Sequence, residues 1–188
     1  MKSLKFFPQH DHDHLIQPEE FYDLHPDSPA VSALADFRHH KPHMIDSHLK
    51  VSEALNMMLV EDVSMKIVVD IEKEFIGVLD RSHLTSENML LKQLSLGLKH
   101  HELLVKDLMY PRAKMLAVDI DQLNQVTVSD LVSSLKTAHQ EYLLVVDKDA
   151  HHIRGIISSH EISRYLHQPV AIEKERTFID IFSAVHIS

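Results

Sequence analysis

The chain has no cysteine and no tryptophan, and only three of its 188 residues are glycine. Without cysteine there is no disulfide framework, no thiolate metal site and no thiol nucleophile. No apolar run approaches the ~20 residues that a membrane helix needs, so no membrane partner is expected. The opening stretch "MKSLKFFPQHDHDH" lacks the apolar core of a secretion signal, which makes the cytoplasm the expected compartment. Basic residues are outnumbered, and the formal charge of −9 works against binding a phosphate backbone. No nucleic-acid partner is expected. There is no nucleophile–base arrangement, no glycine-rich phosphate loop and no HExxH pattern, so the chain does not read as an enzyme.

What is present is ordinary for a globular protein, with 44% apolar and 25% charged residues. Histidine is the exception, with 17 copies. Protonating them all would reverse the sign of the net charge. His10, His12 and His14 alternate with acids and would point one way from an extended segment. They are weak metal candidates, because a flexible arm has no fixed outer shell. The pairs His39-His40, His100-His101 and His151-His152 are adjacent in sequence and do not face each other.

The chain repeats itself. "VSEALNMMLVEDVSMKIVVD" (Val51 to Asp70) aligns without a gap with "VSDLVSSLKTAHQEYLLVVD" (Val128 to Asp147). "KEFIGVLDRSHLTS" then matches "HHIRGIISSHEISR", with Gly77 and Gly155 at equivalent places after one inserted residue. Upstream, "ALADFRHHKPHMI" parallels "LVKDLMYPRAKML", which pairs Asp36 with Asp107 and Met44-Ile45 with Met115-Leu116.

Each copy predicts the same elements. Val51, Ala54, Leu55, Met58 and Leu59 form a helical stripe, and Val128, Leu131, Val132 and Leu135 repeat it. Thr127 with Asp130 predicts a capping box. "KIVVD" and "YLLVVD" predict buried strands, followed by a polar turn and the strands "FIGVL" and "IRGII". A further helix is expected to open at Ser82 and at Ser159. The organisation expected is an extended, proline-rich N-terminal arm (1–32), a first motif (33–86), a linker helix (87–104) with Gly97 as its weak point, a second motif (105–166) and a C-terminal tail (167–188). The tail carries an apolar stripe at Phe178, Ile181, Phe182 and Val185.

The motif "VKDLMYP" (Val105 to Pro111), the "VVD" strand ends and the glycine-opened "GIISSHE" together resemble a tandem pair of cystathionine-β-synthase (CBS) domains over Ala33 to Leu166. The resemblance implies an α+β fold: two β-α-β-β-α motifs packed through their sheets as a pseudo-two-fold pair. It also implies a regulatory module that forms a homodimer. Clefts between paired motifs would take an adenosine-containing ligand such as AMP, ATP or S-adenosylmethionine, with no cofactor required.

The family's site signature is Gly, two aliphatics, Thr or Ser, two variable residues, then Asp. By that pattern Gly155 admits a close backbone approach, Ile156 is the first aliphatic, Ser158 serves a phosphate and Glu161 a ribose diol. Glu161 departs from the usual Asp by one methylene. Arg154 would reach a phosphate, and Met115 and Leu116 would wall an adenine ring. The first copy carries Gly77, Asp80 and His83 at these places, with Met44 and Ile45 as walls. An acid at the phosphate position repels the ligand, so that second site is expected to be degenerate. The expected output runs through a separate protein partner. The alternatives are a dimeric interaction scaffold with unoccupied clefts, and a metal- or proton-responsive protein using its histidines.

Overall fold

In a computed structural model, residues 24–172 can be described. Eight strands build two four-stranded sheets. The first sheet has β2 (Met44–Asp46), β3 (Met65–Val69), β4 (Phe75–Asp80) and β5 (Tyr110–Pro111), in that spatial order. The second has the order β1 (Ala35–Asp36), β8 (His152–Ser158), β7 (Tyr142–Asp147) and β6 (Leu116–Asp119). In each, a central antiparallel hairpin carries one parallel neighbour, β2 on β3 and β6 on β7. Both hairpins shift register at the same place in the repeat, between Val68 and Val69 and between Val145 and Val146. The expected α+β pair of motifs is the fold observed.

The remaining strands exchange between copies. β1 lies at the start of the first motif in sequence yet pairs with β8 of the second, and β5, near the start of the second, pairs with β4 of the first. The two glycines make these pairings close. A Cβ on Gly155 would collide with the Ala35 carbonyl, and one on Gly77 with the Tyr110 carbonyl. Ala35 therefore corresponds to Tyr110, and the expected pairing of Asp36 with Asp107 is corrected. The wall residues shift as well. Met44 pairs with Ile67, and Ile67's repeat partner Leu144 pairs with Ala117, so Met44 corresponds to Ala117 and not to Met115.

Helices cover the outer faces. α1 (Val51–Val60) buries Val51, Ala54 and Met58, and α5 (Val128–Thr137) buries Val128, Leu131 and Leu135. The Thr127–Asp130 capping box is present. α2 (Ser86–Leu96) is capped by the Thr85 side chain and stops at Gly97, whose φ of 67° is left-handed. The expected linker helix thus ends at Gly97 instead of crossing it. A 3-10 turn at His100–Glu102 and the short α3 (Val105–Leu108) follow. Ser82 opens no long helix but lies in a 3-10 turn, Arg81–His83. α4 (Ile120–Leu123) precedes α5, and α6 (Ser159–Tyr165) closes the second motif.

Between the sheets, Ile67, Val69 and Val78 of one copy pack with Tyr142, Leu144 and Ile156 of the other. Residues 24–33 are not an extended arm. Leu24 and Ala30 enter the second motif's helical core, and Ala30 N–H donates to the Val126 carbonyl at 2.9 Å. Val170 and Ile172 pack on that core too. His10, His12, His14 and the tail's apolar stripe lie outside the described residues.

Candidate functional site

The cleft that contains Glu161 is built by both copies. Its far wall is the loop between β1 and β2 and the segment leading into β3. It encloses about 250 Å³. Phe37, Pro42, Val63, Met65 and Ile67 give it an apolar, partly aromatic face. His40, Lys41, His43 and Arg164 supply basic groups, and Asp62 and Glu161 supply carboxylates. Glu161 lies in the first turn of α6. Its Oε1 accepts from Ser64 Oγ at 2.7 Å, and its Oε2 lies 3.4 Å from the Tyr165 hydroxyl and 3.5 Å from Arg164 Nη2. A carboxylate held at the lip of an apolar slot can accept from paired hydroxyls while a flat ring occupies the slot.

The other residues of the signature lie elsewhere. Ser158 is buried and N-caps α6, accepting from the Glu161 N–H at 3.5 Å. Arg154 makes a two-pronged ion pair with Asp36, Nε to Oδ1 and Nη2 to Oδ2, both at 2.7 Å. That contact, chiefly the hydrogen bonds from Arg154, holds the Asp36 carboxyl at about 2. Gly155 is the strand contact already described. Ile156 is buried between the sheets, and Met115 packs against the same core. Leu116 is exposed on β6. None of these lines the Glu161 cleft. Met44 is exposed and Ile45 is buried under α1. Their neighbours Pro42 and His43 form the wall instead, so the first copy's loop faces the second copy's acid. Sequence reasoning joined each acid to its own copy's loop, and it missed Phe37, Val63, Ser64 and Met65. The strand exchange is what brings them there.

At the pseudo-symmetric place the chemistry differs. Glu141 stands where Ser64 stands and His83 where Glu161 stands. His83 Nε2 lies 3.1 Å from Glu141 Oε2, and the His83 ring meets Tyr142 edge-on at 5.8 Å. Burial, with the charges of Asp80 and Glu141, pushes the Tyr142 hydroxyl well above its ordinary range. Asp80 is buried and caps the 3-10 turn, accepting from Ser82 N at 2.8 Å and Ser82 Oγ at 2.7 Å. Its Oδ2 has no hydrogen-bond partner. The cavity here, about 270 Å³, is lined mainly by polar groups, among them Asn88, Ser159, His160 and Ser163. No group of three or more His, Asp or Glu that could hold a metal ion occurs among the described residues.

Residues 26–89 match the family model described as the CBS domain. No curated protein matches the chain. Among solved structures, an uncharacterized conserved protein from Pyrococcus horikoshii has 13% identity, a TM-score of 0.52 and coverage of 80% of this chain and 100% of its own. A conserved CBS domain protein from Thermoplasma acidophilum has 16% identity and a TM-score of 0.47, over 81% of this chain and 75% of its own. CBSX2 of Arabidopsis thaliana, in its complex with AMP, has 22% identity and a TM-score of 0.47, over 73% of this chain and 94% of its own.

Proposed function

From the premise that this chain is a tandem CBS-domain protein, we propose that it is a regulatory module whose Glu161 cleft takes an adenosine-containing ligand. The observation that carries this reading is the Glu161 carboxylate on the wall of a slot faced by Phe37, Val63 and Met65. The adenine lies against that apolar face. The ribose diol donates to Glu161. A phosphoryl group turns toward Lys41, with Arg164, held beside Glu161 and Tyr165, adding positive charge. The volume is at the small end for ligand sites, which suits one mononucleotide better than a dinucleotide. AMP and ATP fit this rim better than the cationic S-adenosylmethionine.

The His83 cavity takes no nucleotide on this reading, because its lining is mainly polar and Glu141 already lies against His83 Nε2. The role is regulatory and not catalytic, and it belongs in the cytoplasm, where adenine nucleotides are held. No helix among the described residues is long and apolar enough to cross a membrane. Ligand state passes to a separate protein through the assembled module.

That assembly is a homodimer. α2 contributes no fully buried residue, and Leu90, Leu91 and Leu94 are 53%, 59% and 72% exposed along one stripe. In the second motif Leu24, Ala30, Val170 and Ile172 pack on the helical core instead. A dimeric scaffold that binds no ligand is the second reading, and the same leucines favour it. Thermal unfolding with AMP, ATP, adenosine and S-adenosylmethionine separates the two. Under the first reading AMP at ~100 times its Kd stabilises the wild type by ~2.7 kcal/mol, and Glu161→Gln loses most of that gain. No response to any adenosine compound at millimolar concentration leaves the scaffold.

A further inference from the structure

One carboxylate oxygen beside the cleft holds two bases. Glu61 Oε2 accepts from Lys66 Nζ at 2.6 Å and lies 3.0 Å from His43 Nδ1. Lys66 is only 2% exposed. It stands in β3 between Met65 and Ile67, on the side of the sheet that faces α1, as Val68 does. A buried ammonium cannot give up its counter-ion without leaving a bare charge. Glu61, the residue that ends α1, is therefore fixed in place. Hydrogen bonds from Lys66 first and His43 second hold its carboxyl below the usual range. An ionised carboxylate only accepts, so His43 Nδ1 must donate. The ring nitrogen left to gain or lose a proton is Nε2.

His43 lines the Glu161 cleft. We propose that His43 makes occupancy of this cleft depend on pH, favouring a phosphorylated ligand as the solution becomes mildly acidic. Protonation turns the Nε2 edge from an acceptor into a charged donor, and a charge-assisted bond to phosphate oxygen is then available. The groups that share this wall are His40 and Lys41 from the same loop, Asp62 just after α1, and Glu161 and Arg164 from α6. Lys41 and Arg164 give positive charge at either pH. Among the described residues the His40 ring has no carboxylate partner, so nothing fixes its tautomer as Glu61 fixes that of His43. The proposal rests on the adenosine reading above.

The test is calorimetric titration of AMP and of adenosine into the full chain at pH 6 and pH 8, for wild type and His43→Gln. The phosphate of AMP titrates in this range itself, so the reading is the wild-type-to-variant ratio at each pH and not the pH profile of either protein alone. The expected result is that wild type binds AMP roughly fivefold tighter than His43→Gln at pH 6 and nearly equally at pH 8. Adenosine should show no such difference. An AMP ratio that is the same at both pH values, or an equal ratio for adenosine, overturns this proposal alone. Failure of either compound to bind at both pH values removes the adenosine reading, and this proposal with it.

Discussion

Ser64 Oγ donates to Glu161 Oε1 at 2.7 Å, joining the entry to the first copy's central hairpin to the last helix of the second copy. The repeat places Glu141 and His83 in the same relation, 3.1 Å apart. One scaffold position thus carries a hydroxyl–carboxylate contact in one cleft and an imidazole–carboxylate contact in the other. The first leaves acceptor capacity on the acid, because a serine uses only one lone-pair direction of Oε1. The second matches an acid to a base.

Ser64→Ala and Glu161→Ala are therefore expected to separate stability from binding. Ser64→Ala should cost about 1 kcal/mol of stability, the ordinary net worth of such a bond. It should keep most of the AMP-induced rise in Tm. Glu161→Ala should lose that rise, since a buried ribose diol left without its acceptor costs about 1–3 kcal/mol. Differential scanning fluorimetry with and without AMP checks both. Equal loss of the AMP response in the two variants would show that Ser64 touches the ligand itself.

His83→Ala should act the other way. It removes one partner of Glu141 and the edge-on contact with Tyr142. A loss of about 1–2 kcal/mol in denaturant unfolding is expected. AMP affinity in the Glu161 cleft should stay within about twofold of wild type, under one kcal/mol. A larger loss of affinity would mean that the polar cavity is the ligand's site.

The repeat, its hairpins and its capping box were legible because they rest on local rules. Period, β-branching and the Thr127–Asp130 spacing act within a few residues. Glu161 was legible for the same reason, as part of a short contiguous motif. The wall opposite it was not. Phe37 and His43 reach Glu161 only because β1 leaves its own copy and pairs with β8, and no local pattern records that exchange. The two-residue slip between Met44 and Met115 has the same origin: methionines were matched by identity where strand register matches Met44 with Ala117. Ser158 and Arg154 keep the chemistry a phosphate needs, but a helix cap and a partly buried Asp36 compete for them at short range and win.

The Arg154–Asp36 pair gives a pH dependence whose sign is fixed. Asp36 has a carboxyl at about 2 in the folded chain, below its ordinary 3.8. A depressed value means that the folded state holds the carboxylate more tightly than the unfolded state does. The pair's contribution is present in full above about pH 4 and is lost as pH falls from there through about 2. Arg154→Ala should cost about 2–3 kcal/mol at pH 7, because both groups are mostly buried and Asp36 would be left without its partner. It should also flatten stability between pH 4 and pH 2, read by urea unfolding at a series of pH values. Parallel curves for wild type and variant would contradict this.

The glycines should divide into two kinds. Gly155→Ala and Gly77→Ala push a methyl into the carbonyls of Ala35 and Tyr110, so the exchanged strands must part. Each should cost at least 1–3 kcal/mol, as overpacking does. Gly97 has open space around its Cβ position but a φ of 67°. Gly97→Ala should cost only about 1 kcal/mol, from the left-handed backbone alone. Hydrogen exchange should show the β1–β8 amides opening in Gly155→Ala and not in Gly97→Ala.

The exposed leucines of α2 make the last prediction, which concerns assembly. Leu94 lies about one turn from both Leu90 and Leu91, and α2 adds no fully buried side chain to the core. Of α2's residues, Met89 packs from the partly buried side against the first motif's core. Replacing the outward leucines should therefore leave the fold intact. In the second motif Leu24, Ala30 and their neighbours pack against the helical core, so the leucine face of α2 is the contact put to the test. A two-fold contact closes such faces against each other and leaves none open, whereas a head-to-tail contact would propagate. Wild type should sediment as a dimer at micromolar concentration. Leu90→Glu combined with Leu94→Glu should sediment as a monomer with a circular dichroism spectrum like that of wild type, since acids cannot be left unpaired in a dry interface. A dimer that survives both substitutions would place the contact on another face, and a wild-type monomer would leave these leucines to a different protein.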